Sequence, residues 1–245
     1  MELDKTPPQK KSSKPIARGQ SKQAVDTLGR RIASGDYKEG ETLPIEAELS
    51  EMLGIGRNAL REAVKILSAK GFLTTAPRSG TKVRSKIYWN MLDQQVLSWH
   101  ADPAIATESF MLDLIEIRQI IEPKAAKLAA ERATREDISN IMSAFESMKE
   151  HKDDLEKRLE ADIEFHSLIL MASHNTILSQ FKTAVATYLK AHVNLGKEQT
   201  TEEINLDLQH HQELAWAIAS GQADKAYSIV KDILVQNTSH LPPTK

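Results

Sequence analysis

Three side chains in the second half of the sequence, Asp162, His166 and His211, are of the types that bind divalent metals. Asp162 and His166 are four residues apart, so in a helix they share one face and offer an oxygen and a nitrogen ligand. His211 belongs to another helical segment and adds a second imidazole. Both histidines fall within apolar stripes, where an unpaired polar group is costly. The pattern predicts a divalent metal site inside a helical domain.

Simpler explanations exist for the same residues. A histidine in an apolar stripe is often a hydrogen-bonded core residue, and an Asp–His pair at this spacing can be a local hydrogen bond. Arg118, beside the apolar stripe of an earlier segment, can bind a ligand carboxylate through two parallel hydrogen bonds, or pair with Glu122 or Glu116. We predict a site for a small carboxylate effector at four polar positions: Arg118, Asp162, His166 and His211.

A second set of side chains, nearer the N-terminus, has the chemistry of DNA recognition. Arginine binds guanine O6 and N7 through two parallel hydrogen bonds, and asparagine does the same for adenine. Such residues share one face of a predicted short helix: Arg57, Asn58, Arg61 and Lys65. A later turn offers a cation and backbone N–H groups to a minor groove or to phosphates: Arg78, Ser79, Gly80 and Thr81. A solvated basic face is the simpler alternative for the helix.

The elements around these residues follow from apolar periodicity and turn residues. Two short helices, one through Leu49 and one beginning near Arg57, are joined by Gly54-Ile55-Gly56, which is typical of a helix-turn-helix. An earlier helix ends at Gly35, and residues 72–75 and 81–84 around the turn at 77–80 predict a β-hairpin, or wing.

From residue 104 onward, apolar residues recur at helical intervals with almost no strand signal. We predict about six helices, roughly at 107–132, from 134, at 155–173, 176–195, 202–220, and a last one ending before Pro242. Pro123 is expected to kink the first, and Thr134 and Asp137 to form a capping box on the second. The predicted fold is mostly α: a winged helix-turn-helix followed by an all-α bundle of six or seven helices.

Composition and charge limit the function classes. The chain has no cysteine, which excludes a disulfide framework, a cysteine zinc finger and a thiol nucleophile. No apolar run approaches the ~18–20 residues of a membrane helix, and the Lys-rich start has no apolar signal segment. We therefore expect a soluble, cytoplasmic protein with no membrane partner.

The charge is distributed unevenly along the chain. Residues 1–88 contain 17 Lys and Arg against 10 Asp and Glu, whereas the rest contains 15 against 24. A basic front and an acidic rear indicate two modules, the front one facing a polyanion. We predict a disordered basic tail over 1–20, a winged-helix DNA-binding domain over 21–86, a linker over 87–103 and a helical domain over 104–240, to which the family resemblance given below assigns effector binding and dimerisation.

Residues 28–84 resemble the winged helix of the GntR family of bacterial transcription regulators. The resemblance rests on family positions at family spacing: Leu43-Pro44, Glu46, Leu49, Gly54, Arg57, Arg61-Glu62-Ala63, Leu67, Gly71, Gly80 and Val83. It implies that Arg57 and Arg61 contact operator bases. The rear half is similar to the FCD-type helical effector domain of the FadR branch, through a second set: Glu116, Arg118, Glu122, the run 129–133, Asp162, His166, His211 and Ala217-Ile218.

The resemblance also implies a metal and an effector. In metal-binding members of this branch, one Asp and three His hold a divalent ion such as zinc, nickel or manganese, and a small carboxylate completes its coordination. Asp162, His166 and His211 match three ligands, but the fourth position, 22 residues after His211, is Ile233. Either three protein ligands suffice, with effector or water completing the shell, or the site is metal-free. His192 is a further candidate ligand.

The segment between the domains and the incomplete ligand set resemble the galactonate-responsive members of this branch, which implies a sugar-acid effector such as an aldonate or a 2-keto-3-deoxy aldonate. We expect a homodimeric repressor with one winged helix on each half of a palindromic double-stranded operator, released by effector binding. The alternatives are a regulator responding to another organic acid, a metal-dependent helical hydrolase, and an architectural DNA-binding protein without a ligand. No catalytic residue is predicted.

Overall fold

The computed structural model describes residues 18–195 and 199–238 and divides the chain into two compact units, Met1–Trp89 and Asn90–Lys245. The division falls within the predicted linker, 87–103. Residues 1–17 of the predicted tail and the end of the predicted rear domain, 239–240, lie outside the described residues. Residues 18–20, which the sequence analysis assigned to the tail, instead begin the first helix, because they supply the turn that precedes buried Ala24.

Among the described residues, three α-helices and a hairpin form most of the front unit. In chain order they are α1 (Arg18–Ala33), α2 (Glu46–Leu53), α3 (Arg57–Ala69), β1 (Leu73–Ala76) and β2 (Gly80–Val83). α2 ends at Gly54, whose left-handed backbone (φ 62°) closes the helix, and α3 starts after Gly56. α1 packs on α3, and their facing side chains are almost fully buried: Leu28, Ile32, Leu60 and Leu67. The predicted winged helix-turn-helix is confirmed.

The hairpin is antiparallel, with Leu73 opposite Val83 and Ala76 opposite Gly80. Its base depends on a close backbone approach. Gly71 has φ 85°, and a Cβ there would lie 1.9 Å from the carbonyl oxygen of Tyr88. Glycine is therefore required at this position both for its backbone conformation and for the space it leaves.

Seven helices form the rear unit among the described residues: α4 (Gln94–His100), α5 (Glu108–Arg132), α6 (Arg135–Glu150), α7 (Leu155–Ala172), α8 (Lys182–Leu195), α9 (Thr201–Ala219) and α10 (Ala223–Thr238). Thr134 and Asp137 form the predicted capping box of α6, and α5 continues through Pro123. The all-α bundle is confirmed, and none of the described helices is long and apolar enough to cross a membrane.

One predicted helix start differs from the structure. The sequence predicted a helix over 176–195, but a 3₁₀ turn over Leu178–Phe181 precedes α8. The side chain of Asn175 accepts hydrogen bonds from the N–H groups of Ile177 and Leu178, at 3.0 and 3.1 Å. This side-chain turn competes with helix formation and delays the helix.

The rear unit buries two apolar clusters and a small group of charged residues. α6, α7, α9 and α10 supply most of one cluster, which includes Phe165, Leu214 and Ile233, and α5, α7 and α8 supply most of the other. Among the charged or titratable side chains buried near them, four come from three helices: Arg118 and Glu122 from α5, His166 from α7 and His211 from α9. These helices therefore position the predicted effector site.

Candidate functional sites

Asp162, His166 and His211 converge inside the rear unit. α7 places Asp162 and His166 one turn apart, and α9 brings His211 against them. Asp162 Oδ1 lies 3.3 Å from His166 Nε2 and 3.4 Å from His211 Nε2, and the two Nε2 atoms are 3.3 Å apart. In the described part of the chain, these three residues form the one group of histidines and acids arranged like metal ligands. Their ligand atoms form a nearly equilateral triangle.

The triangle fits a tetrahedrally coordinated ion. Zinc bonds of about 2.0–2.1 Å place the ligand atoms of a tetrahedron about 3.3–3.4 Å apart. His166 Nδ1 donates to Glu122 Oε2 at 2.9 Å, and His211 Nδ1 donates to the backbone carbonyl of Asp207 at 2.7 Å. Because each Nδ1 is the donor, each Nε2 is turned towards the centre, as metal-binding histidines require. The residues present fit a divalent cation.

Protons stabilise this group when no cation is bound. Burial opposes the charge of His166, but the neighbouring Glu122 and Asp162 carboxylates raise its pKa to about 9. Burial also opposes the charge of His211, whose pKa is nevertheless raised by Asp207 and Asp162. Burial disfavours ionised Asp162, yet the two adjacent histidines hold its pKa well below the usual range. A divalent ion would replace these protons.

Arg118 lies beside this group, almost fully buried on α5. Its Nε donates to Glu122 Oε1, its Nη2 is 3.4 Å from Glu122 Oε2, and its guanidinium carbon is 4.5 Å from the centre of the Tyr188 ring. Burial opposes the charge of Arg118, but Glu122 raises its pKa above the ordinary value. Burial likewise opposes the charge of Glu122, yet Arg118 and His166 lower its pKa to about 2.

Arg118 pairs with one of its two possible acidic partners and keeps part of its guanidinium unpaired. The ion pair with Glu122 is present, while the buried Nη1 has no hydrogen-bond partner among the described residues. Glu122 therefore already holds one side of the guanidinium. The NH₂ group of Nη1 remains for a ligand.

Sequence reasoning misses part of this site. The i+4 spacing predicts Glu122 as a possible partner of Arg118. No sequence signal indicates that the second carboxylate oxygen of Glu122 contacts His166 on another helix. Tyr188 was not predicted as a site residue at all. Ile233 lies in the apolar core, and His192 stacks on Tyr188 with ring centroids 5.4 Å apart, outside the group of ligand atoms described above.

The predicted DNA-binding residues of α3 lie at the surface of the front unit. All four are exposed: Arg57, Asn58, Arg61 and Lys65. Arg61 Nε lies 2.7 and 2.9 Å from the two carboxylate oxygens of Glu46 on α2, and Lys65 Nζ lies 2.9 Å from Glu62. A groove of about 720 Å³ between α2, α3 and the hairpin is lined by Arg61, Lys65 and Thr81, among others. The helix and the wing therefore present polar groups to one groove.

The hairpin tip has an unusual backbone. Arg78 has φ 64°, a left-handed conformation that is unfavourable for a residue with a side chain. The N–H of Ser79 donates to the carbonyl of Ala76 at 3.2 Å, so the turn itself uses one of the amides predicted to face DNA. Gly80 has φ 73° and lies close to Thr42. An exposed arginine in a strained conformation is a feature that clusters at functional sites.

Comparison with known proteins identifies the family. Residues 20–83 match the gntR family of bacterial regulatory proteins, and residues 113–236 match the FCD domain. The chain belongs to the GntR family. It is 34% identical over 223 residues to the galactonate operon transcriptional repressor of Escherichia coli (strain K12), covering 89% of this chain and 94% of that one.

Two further matches agree with this assignment. The GntR-family chain is 33% identical over 215 residues to an uncharacterized HTH-type transcriptional regulator of the same strain, covering 86% of this chain and 90% of the relative. It also shares its fold, with a TM-score of 0.59 and 18% identity, with Lar, which controls the expression of the Listeria monocytogenes agr system. That match covers 92% of this chain and 97% of Lar.

Membership decides between the classes of function. This GntR-family protein is a DNA-binding transcription regulator, and members of the family bind operator DNA and small-molecule effectors, typically as dimers. The matching families and relatives are regulators rather than enzymes, which removes the helical hydrolase as an alternative. FCD domains can bind metals, in keeping with the Asp–His–His triangle.

Proposed function

We propose that this GntR-family regulator represses a sugar-acid catabolic operon and is released from its operator by a sugar acid, such as an aldonate or a 2-keto-3-deoxy aldonate. The similarity to the galactonate operon repressor supports the class of effector. The observation that carries the proposal is a buried guanidinium with an unpaired NH₂ group beside three converging metal-ligand atoms. Such a site suits a ligand that carries a carboxylate and adjacent hydroxyls.

Each polar residue has a role in effector binding. Arg118 would donate through Nη1 to the effector carboxylate, while Asp162, His166 and His211 would hold a divalent ion. The ion would supply positive charge to the carboxylate at a coordination position that no side chain of the described residues takes, since Ile233 is apolar. In a metal-free form, Arg118 and the two histidines would bind the carboxylate directly.

The front unit would bind the operator. We assign base contacts to Arg57, Asn58 and Arg61, a phosphate contact to Lys65, and minor-groove or phosphate contacts to the hairpin tip, residues 78–81. A homodimer would place one winged helix on each half of a palindrome. The effector releases DNA only if it prefers one arrangement of the two heads. A typical coupling is about 1–3 kcal/mol, or roughly 5- to 150-fold in operator affinity.

The test is a titration of operator affinity, followed by fluorescence anisotropy on a duplex that the protein selects from random sequences. Galactonate, gluconate, 2-keto-3-deoxygalactonate and lactate are compared with galactose, which lacks the carboxylate, with and without a chelator. We expect a sugar acid to weaken operator binding and galactose to leave it unchanged. Release by lactate and by no sugar acid would overturn the effector class.

The role of Arg118 has its own variant. Arg118→Ala should bind the operator normally and no longer respond to the effector. Arg118→Lys keeps a positive charge beside Glu122 but has a single ammonium group in place of the planar guanidinium. This variant should also bind the operator without responding to the effector. Arg132→Ala is the control, because Arg132 lies on the same helix and donates instead to the carbonyl of Ser173. A normal effector response in Arg118→Ala would refute the assignment.

A further inference from the structure

Glu122 joins two parts of the rear site that the sequence treats as separate. Its side chain is about 4% exposed and lies one turn after Arg118 on α5. Oε1 accepts from Arg118 Nε, and Oε2 accepts from His166 Nδ1 at 2.9 Å. One carboxylate therefore contacts both the guanidinium that carries the unpaired Nη1 and the imidazole whose Nε2 faces Asp162 and His211.

The two contacts fix two orientations at once. Pairing at Nε holds the guanidinium plane, with the Tyr188 ring beneath it, so that Nη1 keeps one position. Acceptance from Nδ1 fixes the tautomer and the ring of His166, which leaves Nε2 directed at the other ligand atoms. His211 reaches the same tautomer differently, because its Nδ1 donates to the backbone carbonyl of Asp207.

We infer that Glu122 is the positioning residue of this site: it holds Arg118 for the effector and His166 for the cation through the two oxygens of one carboxylate. The inference rests on the proposed function and adds to it, since it makes effector affinity and cation affinity depend on the same side chain. A residue that merely supported the bundle would also lower both affinities when removed, but it would leave the band shape of bound Co²⁺ unchanged.

The decisive variant is Glu122→Gln, which has nearly the same shape but no charge. Its amide NH₂ group would face one of the two donors, Arg118 Nε or His166 Nδ1, in place of an accepting oxygen. Cation affinity is measured with Co²⁺ in the absence of effector, by titration of its visible absorption bands. We expect a 10- to 100-fold loss and a changed band shape, since the donor strength of His166 changes. The second affinity is that for the sugar acid that weakens operator binding in the titration above, measured by calorimetry at saturating Co²⁺. We expect this affinity to fall by roughly tenfold or more.

Glu116→Gln is the matched control. Glu116 lies on α5 like Glu122, but its side chain is exposed, so this variant removes the same charge and should keep both affinities near those of the unaltered protein. If Glu122→Gln does not fold by circular dichroism, Glu122→Asp replaces it. That shorter carboxylate cannot reach both partners and should also lower both affinities.

The outcomes separate this inference from the proposed function. If the unaltered protein binds Co²⁺ and a sugar acid, but Glu122→Gln loses only one affinity or neither, the positioning role is overturned and the proposed function stands. If the unaltered protein binds neither Co²⁺ nor any effector, the proposed function and the positioning role fail together. Loss of both affinities and a changed Co²⁺ band shape in Glu122→Gln, with Glu116→Gln unaffected, supports the inference.

Discussion

Each unit of this regulator contains an arginine–glutamate pair at its functional site, and the two pairs differ mainly in solvation. In the front unit, the side chains of Arg61 and Glu46 are 63% and 36% exposed. In the rear unit, those of Arg118 and Glu122 are 1% and 4% exposed. The same two functional groups therefore meet once in water and once in a low-dielectric interior.

The difference in solvation matches the difference in task. An exposed ion pair contributes little to stability, so we expect Arg61 to exchange part of its pairing with Glu46 for a base edge when DNA binds. A buried pair resists separation, because a lone charge would be left without water or partner. We therefore expect Arg118 to keep its orientation before and after a ligand binds. Under the proposed function, the DNA-binding surface uses an exchangeable pair and the interior effector site uses a fixed one.

Removing the acid from each pair should give the largest contrast. Glu122→Ala leaves Arg118 without its anion and His166 without its acceptor, and we expect a loss of about 3–5 kcal/mol in the free energy of unfolding. Glu46→Ala should change that free energy little. Urea unfolding of the full chain, followed by circular dichroism, measures both. Equal small losses would show that burial does not distinguish the pairs.

Much of the fold could be predicted from sequence, because local signals and apolar periodicity agree. Gly54 and Gly56 mark the turn between α2 and α3, and Thr134 marks the start of α6 through a capping box that the structure contains. The start of α8 could not be predicted, since it depends on the side chain of Asn175 competing for local backbone groups.

The candidate site was predictable only in its residue types. Asp162 and His166 share a helix face, which i, i+4 spacing shows directly, and both histidines were placed in apolar stripes. The link from Glu122 to His166 joins residues 44 positions apart on different helices, and no local periodicity encodes such a contact. The sequence likewise offered two partners for Arg118, and only packing decides between them.

The second prediction concerns specific DNA recognition. Arg61→Ala should weaken operator binding by roughly ten- to a hundredfold, the range for losing one two-point base contact, with less effect on a scrambled duplex. Anisotropy titrations at one salt concentration compare the two duplexes, and circular dichroism checks the fold. Arg31→Ala, which removes the same charge from a side chain paired with Asp36, is the control. Full operator affinity in Arg61→Ala would undo the assignment of α3.

The third prediction uses the strained hairpin tip. Arg78→Gly suits the left-handed backbone better and removes the guanidinium, so the hairpin should stay folded while operator binding weakens. If Arg78 neutralises one phosphate, the slope of log affinity against log salt should become shallower by about 0.9. Operator affinity measured at several salt concentrations between about 50 and 200 mM gives this slope. An unchanged slope would remove Arg78 from the phosphate contacts.

The smallest effect should come from neutralising Glu46 in the exposed pair rather than removing Arg61. Glu46 contacts Nε of Arg61 and leaves Nη1 and Nη2 for a guanine. Glu46→Gln should therefore hold the Arg61 guanidinium less firmly. We expect the ratio of operator affinity to scrambled-duplex affinity to fall by less than about tenfold. Binding to any DNA should rise slightly, because one negative charge is lost beside the phosphates. Glu62→Gln removes the same charge beside Lys65 and should raise binding to both duplexes without changing their ratio. If the two variants behave alike, Glu46 acts on DNA only through its charge, and the exposed pair has no orienting role to compare with the buried one.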